Sequence, residues 1–199
     1  MQNNDLEKNF RSYLTNMAGI SEAHSDTLYE SLEKADFPKG EMLLREGEVC
    51  RHSFFVEEGL LRSYTLGEDG KEHLIQFAPE NWFIVDRGSV YFKDTSEIYI
   101  EAIEDSKVVL LDKNFMDRAT QLDENFRKFN EKLLHNHIRH IQQRLNLLLS
   151  ASAENRYLSF IETYPDLLLR VPQWMIASYL GITPESLSRV RKELAHRNS

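Results

Sequence analysis

The sequence changes character near residue 123, and this change limits the possible fold more than any other feature. Before it, glycines at 40, 47, 59, 67 and 70 separate short apolar runs that recur at roughly ten-residue spacing, which is typical of antiparallel strands in a barrel or roll. After it, apolar residues recur at intervals of three and four, which is typical of helices. The sequence therefore predicts an α+β protein in which an antiparallel β-roll precedes a helical part.

Six apolar runs in the first part are candidate strands. They span residues 42–44, 53–56, 60–66, 73–77, 98–103 and 108–111. The segment Leu-Gly-Glu-Asp-Gly at 66–70 is typical of a hairpin loop. Residues 5–35 are predicted to be helical, with Ser21 as an N-cap and with Leu28, Leu32 and Ala35 on one face.

The charge of the chain is unevenly distributed. A net charge of -8 and an isoelectric point near 5.4 argue, taken alone, against a protein dedicated to nucleic acid. However, residues 1–126 hold 13 basic and 26 acidic side chains, whereas residues 127–199 hold 11 and 6. This asymmetry indicates separate tasks for the two parts and an anionic partner for the second.

The cysteine content and the absence of long apolar runs indicate a compartment. Cys50 is the single cysteine, which excludes a disulfide within one chain and fits a reducing environment. Residues 1–8 lack the apolar centre of a signal peptide, and no run approaches the ~18 apolar residues of a membrane span. A cytoplasmic protein is therefore expected.

A long helix is predicted from about Asp123 onward. Five apolar residues in it recur at intervals of 4, 3, 4 and 3, namely Leu134, Ile138, Ile141, Leu145 and Leu148. This is the heptad spacing of a coiled-coil seam, and it favours a homodimer over a helix that packs only on its own domain. Phe126, Phe129 and Leu133 form a second, offset stripe, which would leave one face for each purpose.

Residues 172–194 carry the most specific local signals. Pro172 suits a helix start, Gly181 can supply the left-handed geometry that ends a helix, and Thr183 is a natural N-cap before Pro184. The pattern predicts a helix-turn-helix with a turn of about three residues. Ser-Ala-Ser-Ala at 150–153 is predicted to separate this motif from the long helix.

The outer face of the second helix indicates what this motif binds. Glu185, Ser188, Arg189 and Lys192 stand three, four and seven residues apart, on one exposed stripe. Such a helix fits the major groove of B-DNA, where arginine donates twice to guanine and glutamate accepts from the cytosine amino group. A solvated surface helix would share the stripe but not the turn chemistry, so DNA binding is favoured.

The chain resembles Crp/Fnr-type transcription regulators, and the Fnr-like branch most. The resemblance rests on Gly-Ile-Thr-Pro-Glu-Ser-Leu-Ser-Arg at 181–189, Phe-Pro-Lys-Gly-Glu at 37–41, Arg-Glu-Gly-Glu at 45–48 and Phe-Val-Glu-Glu-Gly at 55–59. It implies a cyclic-nucleotide-binding-like jelly roll with flanking helices over 1–122, a dimerisation helix over 123–150 and a helix-turn-helix domain over 151–199.

The resemblance also implies partners and site residues. It assigns base reading to Glu185, Ser188 and Arg189, on an inverted repeat bound by two copies of the chain. Phosphate contacts are expected from the helix start and its basic residues, namely Thr183, Arg191, Lys192 and Arg197. Family members continue into a β-hairpin wing, of which most is expected to be missing here. RNA polymerase and an unidentified small-molecule effector are further partners considered, and no membrane is expected.

The family's cyclic-nucleotide site is expected to be degenerate in this chain. Ile84 and Val85 stand where the ribose-binding Gly-Glu pair belongs, and Ser96 and Glu97 stand near the place of the phosphate-binding arginine pair. A carboxylate repels a cyclic phosphate, so control by cAMP in the usual way is not expected unless a nearby arginine substitutes. The matching cassette comprises Trp82, Phe83, Asp86, Arg87 and Tyr99, which are either effector contacts or the core and rim of the roll.

Other cofactors and catalysis find little support. One cysteine cannot hold an iron–sulfur cluster, and ordinary polar histidines are favoured over a haem ligand or a metal shared by His137 and His140. The chain has no nucleophile elbow, P-loop or zincin motif, so neither a resident cofactor nor an enzyme is predicted. The alternative function is a ligand-binding or protein-interaction module that has lost DNA binding, in line with the acidic total charge.

Overall fold

The computed structural model describes residues 9–197 and forms two compact units. The first unit contains the chain up to residue 65 together with residues 75–133. The second contains residues 66–74 and the chain from residue 134 onward. A short hairpin segment of the β-rich part is thus grouped with the C-terminal helices.

Eight strands among the described residues form two four-stranded antiparallel sheets. They are β1 (Glu33–Phe37), β2 (Met42–Leu44), β3 (His52–Glu58), β4 (Leu61–Leu66), β5 (Glu72–Ala78), β6 (Phe83–Ile84), β7 (Tyr99–Ala102) and β8 (Ser106–Asp112). The strand orders are β1-β8-β3-β6 and β2-β7-β4-β5. All six predicted strands are present, and the predicted roll is confirmed.

Within residues 9–197, eight α-helices flank and follow the sheets. They are α1 (Phe10–Ala18), α2 (Glu22–Glu30), α3 (Lys113–Leu122), α4 (Glu124–Ser150), α5 (Ala153–Thr163), α6 (Leu167–Arg170), α7 (Gln173–Leu180) and α8 (Pro184–Arg197). A π-helical turn covers Gly88–Phe92. No helix in the described range is both long enough and apolar enough to cross a membrane.

The prediction of a helical segment over 5–35 was wrong in its last part. Gly19 ends α1 at φ 67°, and Ser21 then caps α2 as predicted, since its hydroxyl accepts the N–H of His24. Ala35 does not lie on a helix; it lies in β1, opposite Val108 of β8. Pairing with a distant strand overrides local apolar spacing here, because β8 provides a ladder of backbone hydrogen-bond partners for β1.

Aromatic packing holds the first unit together around α1. The ring of Phe10 lies 4.8 Å from that of Phe55 and 5.9 Å from that of Phe115. Phe126 and Phe129 of α4 join this cluster and are buried, as expected for the offset stripe. The beginning of the long helix is therefore fixed by the roll.

Cys50 is expected to be a reporter of unfolding. The residue is buried, its backbone N–H donates to Ser89 and its thiol donates to the His52 carbonyl. Burial raises the pKa of the thiol, which keeps it protonated and unreactive at neutral pH. We expect an aromatic disulfide reagent to label native protein slowly and denatured protein at once. Rapid labelling of the native protein would contradict the packing around Cys50.

In the second unit, α5, α7 and α8 surround a small core. The rings of Phe160, Tyr164 and Tyr179 lie 5.4 to 5.7 Å apart, and Ile176 and Leu187 are almost fully buried beside them. The core is built mainly from inward-facing residues of short helices. It leaves the outer faces of α4 and α8 exposed.

The hairpin loop of residues 66–74 is attached to α7 through Ser178. The Ser178 hydroxyl accepts the N–H of Leu74 at 3.0 Å and donates to the carbonyl of Glu72 at 2.9 Å. The loop itself is closed as predicted, since the N–H of Gly67 donates to the carbonyl of Lys71. The Ser178 hydroxyl thus provides a hydrogen-bond partner for two backbone groups of a hairpin that lies far from it in the sequence.

Ser178→Ala is expected to destabilise this attachment by about 1–3 kcal/mol, because a backbone donor and an acceptor lose their partner. Faster hydrogen exchange at the Leu74 amide and a lower melting temperature would show it. Ser188→Ala is the matched control, since Ser188 is exposed on α8 and its loss should change stability by less than about 0.5 kcal/mol. Equal exchange rates at Leu74 in both variants would contradict the assignment.

Candidate nucleic-acid interface

The helix-turn-helix is formed by α7, a short turn and α8. Gly181 ends α7 at φ 65°, and its N–H donates to the helix. The left-handed conformation favours glycine here, and a Cβ would also come within 3.3 and 3.4 Å of the side chains of Leu148 and Arg156. The Thr183 hydroxyl accepts the N–H of Ser186 at 3.2 Å, which confirms the predicted N-cap.

The outer face of α8 is exposed along its length. Glu185, Ser188 and Arg189 all face solvent, whereas Leu187 and Val190 between them are buried. The Glu185 carboxylate accepts hydrogen bonds from its own backbone N–H and from the Thr183 hydroxyl, and both lower the pKa of Glu185. The group therefore stays ionised near neutral pH and acts as an acceptor beside the arginine donor.

The four residues expected to touch phosphate differ in their surroundings. Thr183 and Lys192 are exposed, with Thr183 engaged in its cap. Arg191 donates to the Gln173 side chain at 2.6 Å, and Arg197 forms an ion pair with Glu154 at 2.6 Å. Arg197 would have to leave that carboxylate to contact a phosphate, which weakens its candidacy relative to Lys192.

The heptad residues of α4 are exposed apolar side chains. Leu134, Ile138, Ile141, Leu145 and Leu148 expose 41%, 44%, 52%, 53% and 37% of their surface. They all belong to the part of α4 in the second unit. A contiguous apolar stripe of this kind on one helix is typical of a protein–protein contact.

The predicted effector cassette is only partly assembled in the roll. Trp82 and Val85 pack against the roll core, whereas Phe83 packs among Phe10, Tyr13 and Phe55 in the aromatic cluster. Asp86 lies just before the π-helical turn, and its carboxylate accepts the N–H of Ser89. Phe83 thus has a core position, which favours the structural interpretation of this residue.

The two remaining cassette residues lie at the surface of the roll. Arg87 is exposed, with its guanidinium 5.9 Å from the ring of Tyr91. Tyr99 stacks on Tyr64 with ring centroids 5.1 Å apart, and its hydroxyl donates to Glu46. A contact between these two residues and one ligand is not shown by their placement.

Two of the residues that stand in place of the family's nucleotide-binding pairs are buried and take part in the packing and hydrogen bonding of the roll. Ile84 is buried opposite Phe54 in the pairing of β6 with β3. The Ser96 hydroxyl is buried and bonds to both the N–H and the carbonyl of Ile98. The buried Arg62 is already paired with Glu101, at 2.9 Å through its Nε.

Within residues 9–197 no cluster of three metal-ligating side chains was found, including around His137 and His140.

Comparisons with known proteins show which domain and which regulators this chain is similar to. Residues 34–123 match the cyclic nucleotide-binding domain. The chain is 26% identical over 177 residues to electron transport regulator A of Shewanella oneidensis, covering 83% of this chain and 70% of that protein. It is 24% identical over 183 residues to the fumarate and nitrate reduction regulatory protein of Vibrio cholerae, covering 86% and 72%.

Solved structures share the fold. FixK2 from Bradyrhizobium japonicum superimposes with a TM-score of 0.71 at 22% identity, covering 84% of this chain and 86% of that one. A CooA mutant from Carboxydothermus hydrogenoformans gives a TM-score of 0.70 at 19% identity, covering 93% and 84%. The named relatives, together with the shared fold, support a DNA-binding transcription regulator with a nucleotide-binding-type domain. Over most of its length the chain is similar to regulators of the Crp/Fnr type.

Proposed function

We propose that the protein acts as a homodimer that reads an inverted-repeat DNA site. The observation that carries this proposal is that the second unit has two exposed surfaces. One is the heptad stripe of α4, and the other is the outer face of α8. The relatives are named as regulators, which supports the class but not the details. Two recognition helices related by two-fold symmetry would meet half-sites about one DNA turn apart.

The proposed division of labour follows the chemistry of each side chain. Arg189 would donate to guanine, Glu185 would accept from a cytosine amino group, and Ser188 would bond to a neighbouring base. Lys192, Arg191 and the helix start at Thr183 would hold phosphates, with Arg197 released from Glu154. Residues 151–199 hold 6 basic and 5 acidic side chains, so non-specific affinity should be modest and should fall steeply with salt.

We expect no cAMP binding of the family's usual kind. The support is the buried Ile84, the Ser96 hydroxyl engaged with Ile98 and the ion pair that occupies Arg62. Calorimetric titration of the full chain with cAMP should give no saturable heat at micromolar concentration. Saturable heat that disappears in Arg87→Ala would show instead that Arg87 supplies the missing guanidinium, and would overturn this part of the proposal.

The effector, if the roll binds one, remains a separate question from DNA reading. An effector would have to bind two arrangements of the dimer with different affinity in order to act at all. We further propose that the protein works in the cytoplasm and contacts RNA polymerase there, as expected for a transcription regulator of this type. No enzymatic step is assigned, since the relatives are transcription regulators.

A band shift with the promoter region upstream of the protein's own coding sequence tests the proposal. Retarded bands are expected at low salt, with an apparent affinity that falls linearly on logarithmic axes as salt rises. The alternative of a module that has lost DNA binding predicts no retardation, or retardation equal for promoter DNA and random DNA of the same length.

A further inference from the structure

A cavity lies within the second unit, between α4, α5 and α7. Its volume of about 60 Å³ is several times the space of one water, so it has room for a small oxyanion of four or five heavy atoms. The lining contains two arginines and five neutral residues with polar side chains, and no carboxylate. These polar lining residues are His140, Gln143, Arg144, Arg156, Ser159, Thr163 and Tyr179.

Hydrogen bonds to backbone carbonyls, mainly at the end of α7, hold the guanidinium groups of the two arginines in place. Arg144 donates to the carbonyls of Leu74 at 2.9 Å and Tyr179 at 3.1 Å, and Arg156 donates to the carbonyl of Leu180 at 2.8 Å. The guanidinium of Arg144 also lies 4.0 Å from the centre of the Tyr179 ring. The contacts with Tyr179 and Leu180 satisfy carbonyls that are left without a helical partner where α7 ends, and the contact with Leu74 satisfies one in β5.

The hydrogen bonds to the end of α7 do not use every N–H donor of the two guanidinium groups. The Nε atoms of Arg144 and Arg156 are both buried from solvent and have no hydrogen-bond partner in the described structure. Buried arginine donors are rarely left in this state, because desolvation without a partner costs free energy. Both residues line the cavity, so two incompletely hydrogen-bonded guanidinium groups border one space.

The charges around the cavity indicate which charge a ligand bound there would carry. Neither arginine forms an ion pair with a described carboxylate, and burial lowers the pKa of Arg144. Burial and the Arg144 charge also lower the pKa of His140. Two partly desolvated cations without a counter-ion are unfavourable, and an anion between them would offset this cost.

We propose that this cavity binds a small oxyanion, of the phosphate or carboxylate class. The guanidinium groups of Arg144 and Arg156 would donate to its oxygens, with the Ser159 hydroxyl as a further donor. Because Arg144 stands on the helix that carries the apolar stripe and both arginines hold the end of α7, bound anion would stiffen the helix-turn-helix on α4. The inference goes beyond the proposed function, since it does not require DNA.

The test uses the full chain without DNA and follows the arginine Nε–Hε resonances by NMR. Phosphate and acetate are titrated separately at constant ionic strength, with chloride as the balancing salt. We expect the Arg144 and Arg156 resonances to shift with saturation in at least one series. Saturation with phosphate assigns the phosphate class, and saturation with acetate assigns the carboxylate class. Shifts that rise linearly in both series would overturn the proposal.

Matched variants separate the site from general charge effects. Arg156→Gln should weaken anion binding by about tenfold or more, since a charge-assisted hydrogen bond is lost. Arg139→Gln removes the same charge from an exposed position of α4 and should leave the affinity unchanged. Equal affinity in the two variants would contradict the site.

A second variant covers the case in which Arg156→Gln does not fold. Ser159→Glu places a carboxylate at the lining of the cavity, beside the two arginines. We expect this variant to melt at a higher temperature than the parent protein and to lose the phosphate- or acetate-dependent stabilisation. A Ser159→Glu protein that is still stabilised by the anion would overturn the proposal.

Discussion

Arg189→Ala is expected to weaken binding to the operator by about 2–6 kcal/mol per dimer, which is the largest effect of any single substitution on the reading face. Each of two half-sites loses a bidentate contact worth about 1–3 kcal/mol. Arg189 can adopt such a contact because its side chain is exposed and its guanidinium is held only by a 3.5 Å contact to Ser186. Band-shift titration against operator and scrambled DNA at one stated salt concentration measures the effect.

Comparing the affinities for operator and scrambled DNA distinguishes a base contact of Arg189 from a phosphate contact. Loss of a base contact should lower affinity for the operator while scrambled DNA is bound almost as before, whereas loss of a phosphate contact lowers both. Arg139→Ala is the matched control, because it removes one exposed positive charge from α4. Equal losses on operator and scrambled DNA would contradict base reading by Arg189.

Ile141→Glu is expected to convert the dimer to monomers at micromolar concentration. Ile141 is 52% exposed at the centre of the heptad stripe, so in a dimer two introduced carboxylates would face each other in an apolar seam. DNA binding should fall with it, since one recognition helix alone reads only half of the site. Sedimentation velocity measures the change in mass, and a band shift measures the accompanying loss of affinity.

The control for this substitution is Asn136→Glu. Asn136 is exposed on α4 and lies on the opposite side of the helix from the heptad stripe, so the same carboxylate there should leave the mass unchanged. A parent protein that sediments as a monomer, or an Ile141→Glu protein that remains a dimer, would contradict pairing through α4.

Features encoded by neighbouring residues were predictable from the sequence. Gly181, Thr183 and Pro184 mark the turn of the helix-turn-helix by their own backbone chemistry, and all three stand where that chemistry requires. The alternation of buried and exposed residues on α8 follows directly from helical periodicity. Local signals therefore suffice for the recognition helix and its exposed face.

Features that depend on distant partners were not predictable in this way. β1 was missed because its strand character comes from pairing with β8, more than 70 residues later. The hydroxyl of Ser178 reaches Glu72 and Leu74 across more than 100 residues, and Arg156 meets Leu180 only after the helices have packed. A serine or arginine on a helix carries no sequence signal for such a contact, since each is usually a surface residue.

The charge distribution now has a structural counterpart. The acidic excess lies in the part of the chain that contains the roll, and the basic excess lies in the part that contains α4 to α8. Acidic residues on the roll would repel DNA, whereas the small basic excess of the helical part gives only weak general attraction. Recognition is therefore expected to depend on a few contacts from α8 more than on net charge.

Selection of bound DNA from a random pool, at stated salt, tests the central claim most directly. The account predicts enrichment of an inverted repeat whose half-sites lie about one helical turn apart and contain a guanine that Arg189→Ala no longer selects. Recovery of unenriched sequences, or of a single half-site without symmetry, would contradict a dimer that reads DNA through α8.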